Sequence, residues 1–261
     1  MSRMKISNMH TNFILNLCPP LRLSSCISCK STDHPSPSLS NNSNIEIRVC
    51  TNRTCRKQGS HQILETLIGI SPSHVSINPC GCLGRCGSGP NLVVLPPAAI
   101  INHCGTAARA AQLMVDVCGV GDNCGDLGKR SLDALALRKR AENEFQRQNF
   151  SEAEALFSQA VEAHPIGGIH IAYKGRSAAR LALGNFSGAL EDAKEAIVYA
   201  PNYAEGYICQ GDVFLAMDQL EAAEESYGMA LETDPALRHS KGFKARIQAL
   251  QEKMASTTMS N

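Results

Sequence analysis

The sequence predicts a two-domain protein, an α/β domain followed by an all-α solenoid, and three observations carry that prediction. Between Ile45 and Val120, short β-branched runs and helix-spaced segments follow one another in the order β-α-β-β-β-α. From Asp133 onward the apolar spacing is helical throughout, and Pro165, Pro201 and Pro235 recur at intervals of 36 and 34 residues. In the first half, four cysteines stand in two pairs, Cys50-x4-Cys55 and Cys82-x3-Cys86, each in a turn-prone segment. Two such pairs are what a four-thiolate metal site needs.

Residues 1–44 are serine-rich and hold Arg3, Lys5, Arg22 and Lys30 against one acid, Asp33. They close in a low-complexity run of Ser, Asn and Pro that has too little apolar surface for a core. The stretch reads as a disordered transit peptide, and its serine content without an Arg-rich amphipathic helix points to the chloroplast stroma. The pair Cys26 and Cys29 falls in this segment and is expected to leave with it. No run of 18 apolar residues occurs anywhere, so no membrane span is expected.

The element order follows from the text itself. Ile45 to Cys50 alternates apolar and polar residues and reads as a strand. Thr54 to Ile70 places Ile63, Leu64, Leu67 and Ile68 at helical spacing. His74 to Ile77 is a second strand, Asn91 to Leu95 a third, and Ala98 to Asn102 pairs back as a fourth after the turn Pro96-Pro97. Gly105 to Val117 closes the α/β domain, residues 45–120, as an Ala-rich helix. The Gly-rich stretch 121–132 is expected to be a linker.

Residues 133–254 then hold three repeats, at about 134–166, 170–203 and 204–237, and a capping helix from Ala236 to Met254; residues 255–261 are expected to be a disordered tail. Small residues recur at Ala153, Ala189 and Ala223 and at Ala160, Ala196 and Ala230, with Phe157, Ala193 and Tyr227 between them. Small side chains at these columns let paired helices approach closely, and each proline ends a second helix. This pattern resembles the tetratricopeptide repeat (TPR), with Gly167-Gly168 as a two-residue insertion after the first unit. The resemblance implies an all-α TPR solenoid.

Charge narrows the function further. The formal net charge is +1, and twelve cysteines are present. Residues 45–120 carry six basic and three acidic side chains; residues 133–254 carry 13 and 18. Neither part has the dense Lys/Arg face of a nucleic-acid binder. His61, His74 and His103 are scattered, and no phosphate-cradling loop or nucleophile–base arrangement stands out, so catalysis by this chain alone is not expected.

The chemistry lies in the cysteines. A β-α-β unit would bring the carboxyl end of the first strand, with Cys50, beside that of the second, with Cys82 and Cys86 just beyond it. Gly81, Gly84, Gly87 and Gly89 let the second loop wrap tightly, and Arg53, Arg56, Lys57 and Arg85 surround the pairs; cationic neighbours lower a thiol pKa. The string Cys82-Leu83-Gly84-Arg85-Cys86-x2-Gly89-Pro90-Asn91-Leu92-Val93-Val94 behind Cys50-x4-Cys55 resembles the thioredoxin-like [2Fe-2S] ferredoxin family. The resemblance covers about residues 45–120. It implies an α/β thioredoxin-like ferredoxin domain with a [2Fe-2S] cluster on Cys50, Cys55, Cys82 and Cys86. Cys80 would then stand beside the ligands or replace one of them. Zinc is the alternative occupant. Cys104, Cys118 and Cys124 read as ordinary buried or linker cysteines.

Three repeats form a groove lined by the first helix of each unit, suited to an extended peptide or a partner helix. Its candidate lining is Arg138, Glu142, Lys174, Ala178, Ile208 and Asp212. In the TPR subclass that grips the C-terminal carboxylate of chaperones, basic and asparagine side chains hold that carboxylate. Arg138 matches the first basic position, but Glu142 and Gly175 replace the asparagines and Gln210 replaces a lysine. The expectation is a chloroplast [2Fe-2S] protein that carries one electron or senses redox state, docked by its repeats onto a protein partner, with a redox donor or acceptor protein as a further partner. The alternative is a TPR scaffold whose cluster or zinc is structural only.

Overall fold

The computed structural model describes residues 45–119 and 126–259. The expected transit peptide, Cys26, Cys29 and Cys124, and residues 120–125 of the expected linker lie outside the described residues. All described elements belong to one compact unit, residues 41–261.

Strand β1 (Ile45–Cys50) turns Ile47 and Val49 inward, both fully buried. Asn52 caps the short helix α1 (Arg53–Lys57), its side-chain oxygen accepting from the Arg53 amide at 2.6 Å. The single helix expected from Thr54 to Ile70 is in fact two, because Gly59 takes a left-handed conformation with φ of 91° and restarts the chain as α2 (Ser60–Ile70). Ile63, Leu67 and Ile70 form the buried stripe of α2. Strand β2 (Val75–Cys80) runs parallel to β1, in register from Ile45 opposite Val75 to Cys50 opposite Cys80. Strand β3 (Leu92–Leu95) pairs antiparallel with β1, and β4 (Ala99–Ile101) pairs antiparallel with β3. The sheet order is β2-β1-β3-β4. Helix α3 (Ala107–Val117), capped by Thr106, lays Ala110, Ala111 and Met114 into the core.

The helical half is three antiparallel hairpins: α4 (Leu127–Gln146) with α5 (Phe150–Glu162), α6 (Ile169–Ala182) with α7 (Phe186–Tyr199), and α8 (Ala204–Ala216) with α9 (Leu220–Thr233). Within each hairpin one residue adopts a positive φ immediately before the second helix is capped: Gln148 at 67°, Gly184 at 78° and Asp218 at 57°. These positions recur at the same 36- and 34-residue intervals as the prolines. The alanine columns are buried as their spacing predicts, Ala153, Ala189, Ala223, Ala196 and Ala230 completely and Ala160 to 1% exposure. A 3-10 turn (Pro235–His239) leads into α10 (Lys241–Met259), which covers the last hairpin through Phe243 and Leu250. The expected tail is therefore helical up to Met259.

The boundary between the halves differs from the expected linker at 121–132. Helix α4 begins at Leu127, inside that stretch, and buries Leu127, Ser131 and Leu135. Leu135 belongs to the same apolar core as Ile47, Leu67 and Met114, with Leu132 and Ile166 packed alongside. A separate α/β domain is thus not what the chain builds; sheet and repeats share one core. The Gly167-Gly168 insertion explains the join. A Cβ on Gly167 would fall 2.2 Å from the Pro72 nitrogen, and the Gly168 amide donates to the Ser71 carbonyl at 3.1 Å. Arg138 completes it, donating to the carbonyls of Gly69 (3.2 Å) and Gly168 (3.1 Å).

Candidate metal centre and repeat groove

The carboxyl ends of β1 and β2 lie side by side because the strands are parallel, and the loop 81–91 crosses that end. The Thr51 amide and hydroxyl both donate to the Cys80 carbonyl, at 3.0 and 3.3 Å, and the Cys50 amide donates to the Asn91 carbonyl at 2.9 Å. Cys50 and Cys55 are buried, whereas Cys82 and Cys86 are exposed, and all four are free thiols.

Burial raises the Cys55 pKa, Asn91 offsets part of that rise, and the neighbouring Cys50 raises it further. Cys82 Sγ and Cys86 Sγ stand 3.4 Å apart. The Gly84 amide donates to Cys82 Sγ at 3.4 Å and lowers the Cys82 pKa, with the Cys86 contact adding to the effect. Cys86 is the partner whose pKa is raised, chiefly by the same contact. Among the described residues no three His, Cys, Asp or Glu side chains are grouped to hold one metal ion. Cys82 and Cys86, in contact, could supply two ligands of one centre, and Cys50 and Cys55 lie near enough to be candidates for the others.

One residue that the sequence reading did not single out organises the site. Asn91 is 1% exposed, and its Nδ2 donates to the Arg85 carbonyl at 2.7 Å and reaches Cys55 Sγ at 3.7 Å. It therefore ties the loop between Cys82 and Cys86 to the helix that carries Cys55. The available signal was a polar residue heading an otherwise apolar strand. Gly89 is needed beside it, since a Cβ there would meet Cys55 Sγ at 2.9 Å and Gln58 Oε1 at 2.3 Å.

The remaining cysteines fall elsewhere. Cys80 sits opposite Cys50 in the sheet, half-buried, its pKa raised by burial and then by the charge of Cys50. Cys104 is fully buried in the sheet's core, and Cys118 packs against the same core. The four cations have a role different from the one expected. The groups shifting Cys55, Cys82 and Cys86 are other cysteines, neighbouring amides and burial, while Arg53, Arg56, Lys57 and Arg85 are exposed.

In the groove the six expected residues divide. Arg138 is 7% exposed and committed to backbone carbonyls at the join, so it does not line an open groove. Glu142, largely exposed, lies 3.7 Å from the Arg138 Nε. Asp212 accepts from Tyr227 Oη at 2.8 Å and from Arg246 Nε at 2.7 and 2.9 Å, tying α8 to α9 and α10. Lys174, Ala178 and Ile208 are half-buried on α6 and α8, and Lys174 forms no ion pair among the described residues.

Comparison with known proteins bears on the helical half. The chain is 32% identical over 122 residues to heat shock protein STI1 of Saccharomyces cerevisiae, covering 47% of this chain and 20% of that protein. It is 32% identical over 103 residues to the Hsp70-Hsp90 organizing protein of Triticum aestivum, covering 40% and 17%. Among solved structures, the first TPR domain of the human RPAP3 protein aligns with 22% identity and a TM-score of 0.44, over 49% of this chain and 98% of that one. No family model matches the chain. The chain spans about a fifth of the length of the curated relatives it matches. The repeats define a helix-repeat protein, similar over that half to TPR-containing proteins.

Proposed function

We propose that this chain is a protein-binding adaptor of the TPR type that does not act as an enzyme by itself. The observation that carries this reading is the three-hairpin solenoid, whose proline, alanine and positive-φ positions repeat in step. The names of the relatives, a heat shock protein and an organizer of Hsp70 and Hsp90, support a docking role. The partner is held without a chaperone-tail clamp, because the one basic side chain in the right place, Arg138, is spent on Gly69 and Gly168. Capture of a partner by the full chain, followed by Lys174→Glu and Ile208→Glu, tests the groove. Loss of the partner with both variants but not with Lys244→Glu is expected; retention in all three overturns it. A peptide ending in a chaperone's acidic carboxylate is expected not to bind.

A second reading concerns the cysteine loops, and the Cys82–Cys86 contact together with the Asn91 link from their loop to Cys55 favours it. Cys50, Cys55, Cys82 and Cys86 would hold a [2Fe-2S] cluster, and the sheet order β2-β1-β3-β4 with β1 parallel to β2 supports a thioredoxin-like ferredoxin lineage for this part. Bound there, the cluster supplies one-electron transfer. The chain contributes Asn91 and the Gly84 amide as donors to sulfur, which favour the thiolate forms, and Gly89 as the room that the Cys55 and Gln58 side chains need. The setting is the chloroplast stroma, supported by the composition of residues 1–44. Anaerobic preparation of the full chain should give a reduced-state EPR signal that Cys82→Ser abolishes and Cys104→Ser leaves intact. A colourless, zinc-containing protein would leave the adaptor with a structural metal only. Fusion of the first 44 residues to a reporter tests the location; a cytosolic signal refutes it.

A further inference from the structure

The exposed pair Cys82 and Cys86 opens onto a rim of cations with no acid of their own. Arg53, Arg56 and Lys57 stand on α1, and Arg85 lies between the two exposed cysteines. All four are exposed, and none forms an ion pair among the described residues. The Asn91 side chain, bonded to the Arg85 carbonyl and reaching Cys55 Sγ, holds Arg85 against the α1 turn, so the two cationic segments share one face. From Ile47 to Pro96 the only acidic residue is Glu65, on α2. Elsewhere in the molecule arginines meet carboxylates: Arg48 with Glu46, Arg176 and Arg180 with Asp192, Arg246 with Asp212.

We propose that the face formed by Arg53, Arg56, Lys57 and Arg85 around Cys82 and Cys86 is the docking surface for an acidic one-electron carrier protein. The proposal rests on the [2Fe-2S] reading of the cysteines. In sum the four cations exceed the net negative charge of an oxidised cluster held by four thiolates, so the face stays attractive to acid with the centre loaded. Electron transfer needs close approach, and the exposed pair is the side of the centre that a partner can cover. The step is one electron leaving the reduced centre for the partner's one-electron acceptor, with no bond made or broken and no proton moved. Rim charges of this kind act through long-range steering, which raises association rates and weakens with salt.

The test uses the full chain and two oxidants of opposite charge, ferricyanide and hexaammineruthenium(III), mixed with reduced protein by stopped flow. From about 0.01 to about 0.5 M ionic strength the ferricyanide rate is expected to fall about tenfold while the ruthenium rate rises. The double variant Arg56→Glu/Lys57→Glu should flatten or invert both slopes, and Lys241→Glu/Lys244→Glu, with the same change in net charge on α10, should leave them unchanged. Slopes that are flat in the wild type, or moved equally by both variants, overturn the proposal. A chain without cluster absorbance overturns the redox reading and the electron step with it. A cluster-independent arm then reads the surface alone: the apo chain should bind poly-L-glutamate, and the α1 double variant should lose that binding. Tighter binding of a single-stranded RNA than of poly-L-glutamate would assign the face to nucleic acid and overturn the acidic-protein partner.

Discussion

Asn91 shows how one side chain can fix a site that its ligands alone do not define. Its amide nitrogen serves the cysteine loop and α1 at once, and its Oδ1 is buried without a hydrogen-bond partner among the described residues. Asn91→Asp keeps the shape but removes the donor and places a carboxylate beside Cys55. Loss of the proposed cluster is expected, read as lost visible absorbance, together with about 1–3 kcal/mol of stability from the unpaired Arg85 carbonyl. Asp192 is the corresponding residue in the repeats. It is 1% exposed and accepts from Arg176 at 2.9 and 2.7 Å and from Arg180 at 2.9 Å. This network lies beside Ala193, the column where the other repeats carry Phe157 and Tyr227. Breaking it leaves Arg176 without a carboxylate and Arg180 with Glu154 alone, so Asp192→Ala should cost about 3–5 kcal/mol in denaturant unfolding. Asp192 keeps two bonds from Arg176 when Arg180 is replaced but only one from Arg180 when Arg176 is replaced, so the buried carboxylate is left better paired in the first case.

At the scale of elements, the join between sheet and repeats depends on two glycines that neither half needs for itself. A Cβ on Gly167 meets the Ser71 carbonyl carbon at 2.3 Å, and one on Gly168, which has φ of 73°, meets the Gly69 oxygen at 2.4 Å. Both obstacles are backbone and cannot rotate away. Gly167→Ala and Gly168→Ala should therefore separate the α2–β2 turn from α6, visible as faster amide exchange at Ser71 and Gly168 and a lower thermal midpoint. Gly184→Ala is the control: it has the same positive φ but open space around it, and should cost only about 1 kcal/mol. This is also where sequence reasoning reached its limit. Alanine columns and prolines were legible because each reports a contact within one hairpin, at fixed spacing. The alternation in β1 was legible for the same reason. A buried Arg138 and a glycine pair that seat a distant turn report contacts across about 70 and 100 residues, and no local period carries them. The insertion was visible as a departure from the repeat, but its purpose was not. The cysteine spacing placed Cys82 within reach of Cys86, whereas Asn91, one polar residue among apolar neighbours, carried only a faint signal. The break of the first helix followed from Gly59, whose left-handed conformation separates α1 from the apolar stripe that begins only at Ile63.

Across the whole molecule the join places an ionisable group where folding feels pH. His170, at the start of α6, packs edge-on to the Tyr203 ring at 5.0 Å, and its pKa is held down to about 4 from its ordinary 6.5, first by burial and then by the Arg138 guanidinium. The surrounding cleft is lined by Ser73 and His74 from the α2–β2 turn and by Asn202 and Tyr203 from the start of the third repeat, so protonation there strains both halves together. The folded state binds fewer protons at this site than the unfolded chain does. Its stability is consequently whole above pH 6.5, falls as pH drops through the interval toward 4, and falls no further from this group below that. Arg138 cannot relieve the charge, being itself a cation fixed to two carbonyls. Thermal unfolding of the full chain should show a loss between pH 7 and pH 5 that His170→Phe removes, while His74→Phe, exposed on the other wall, leaves it in place. If the wild type and His170→Phe lose stability in parallel, the acid sensitivity lies elsewhere and His170 remains neutral without cost. If the loss disappears in His170→Phe, adding Arg138→Met to that variant should lower stability by the same amount at pH 7 and at pH 5. The Arg138 charge then opposes protonation only through His170, and the backbone bonds it gives up cost the same at both pH values.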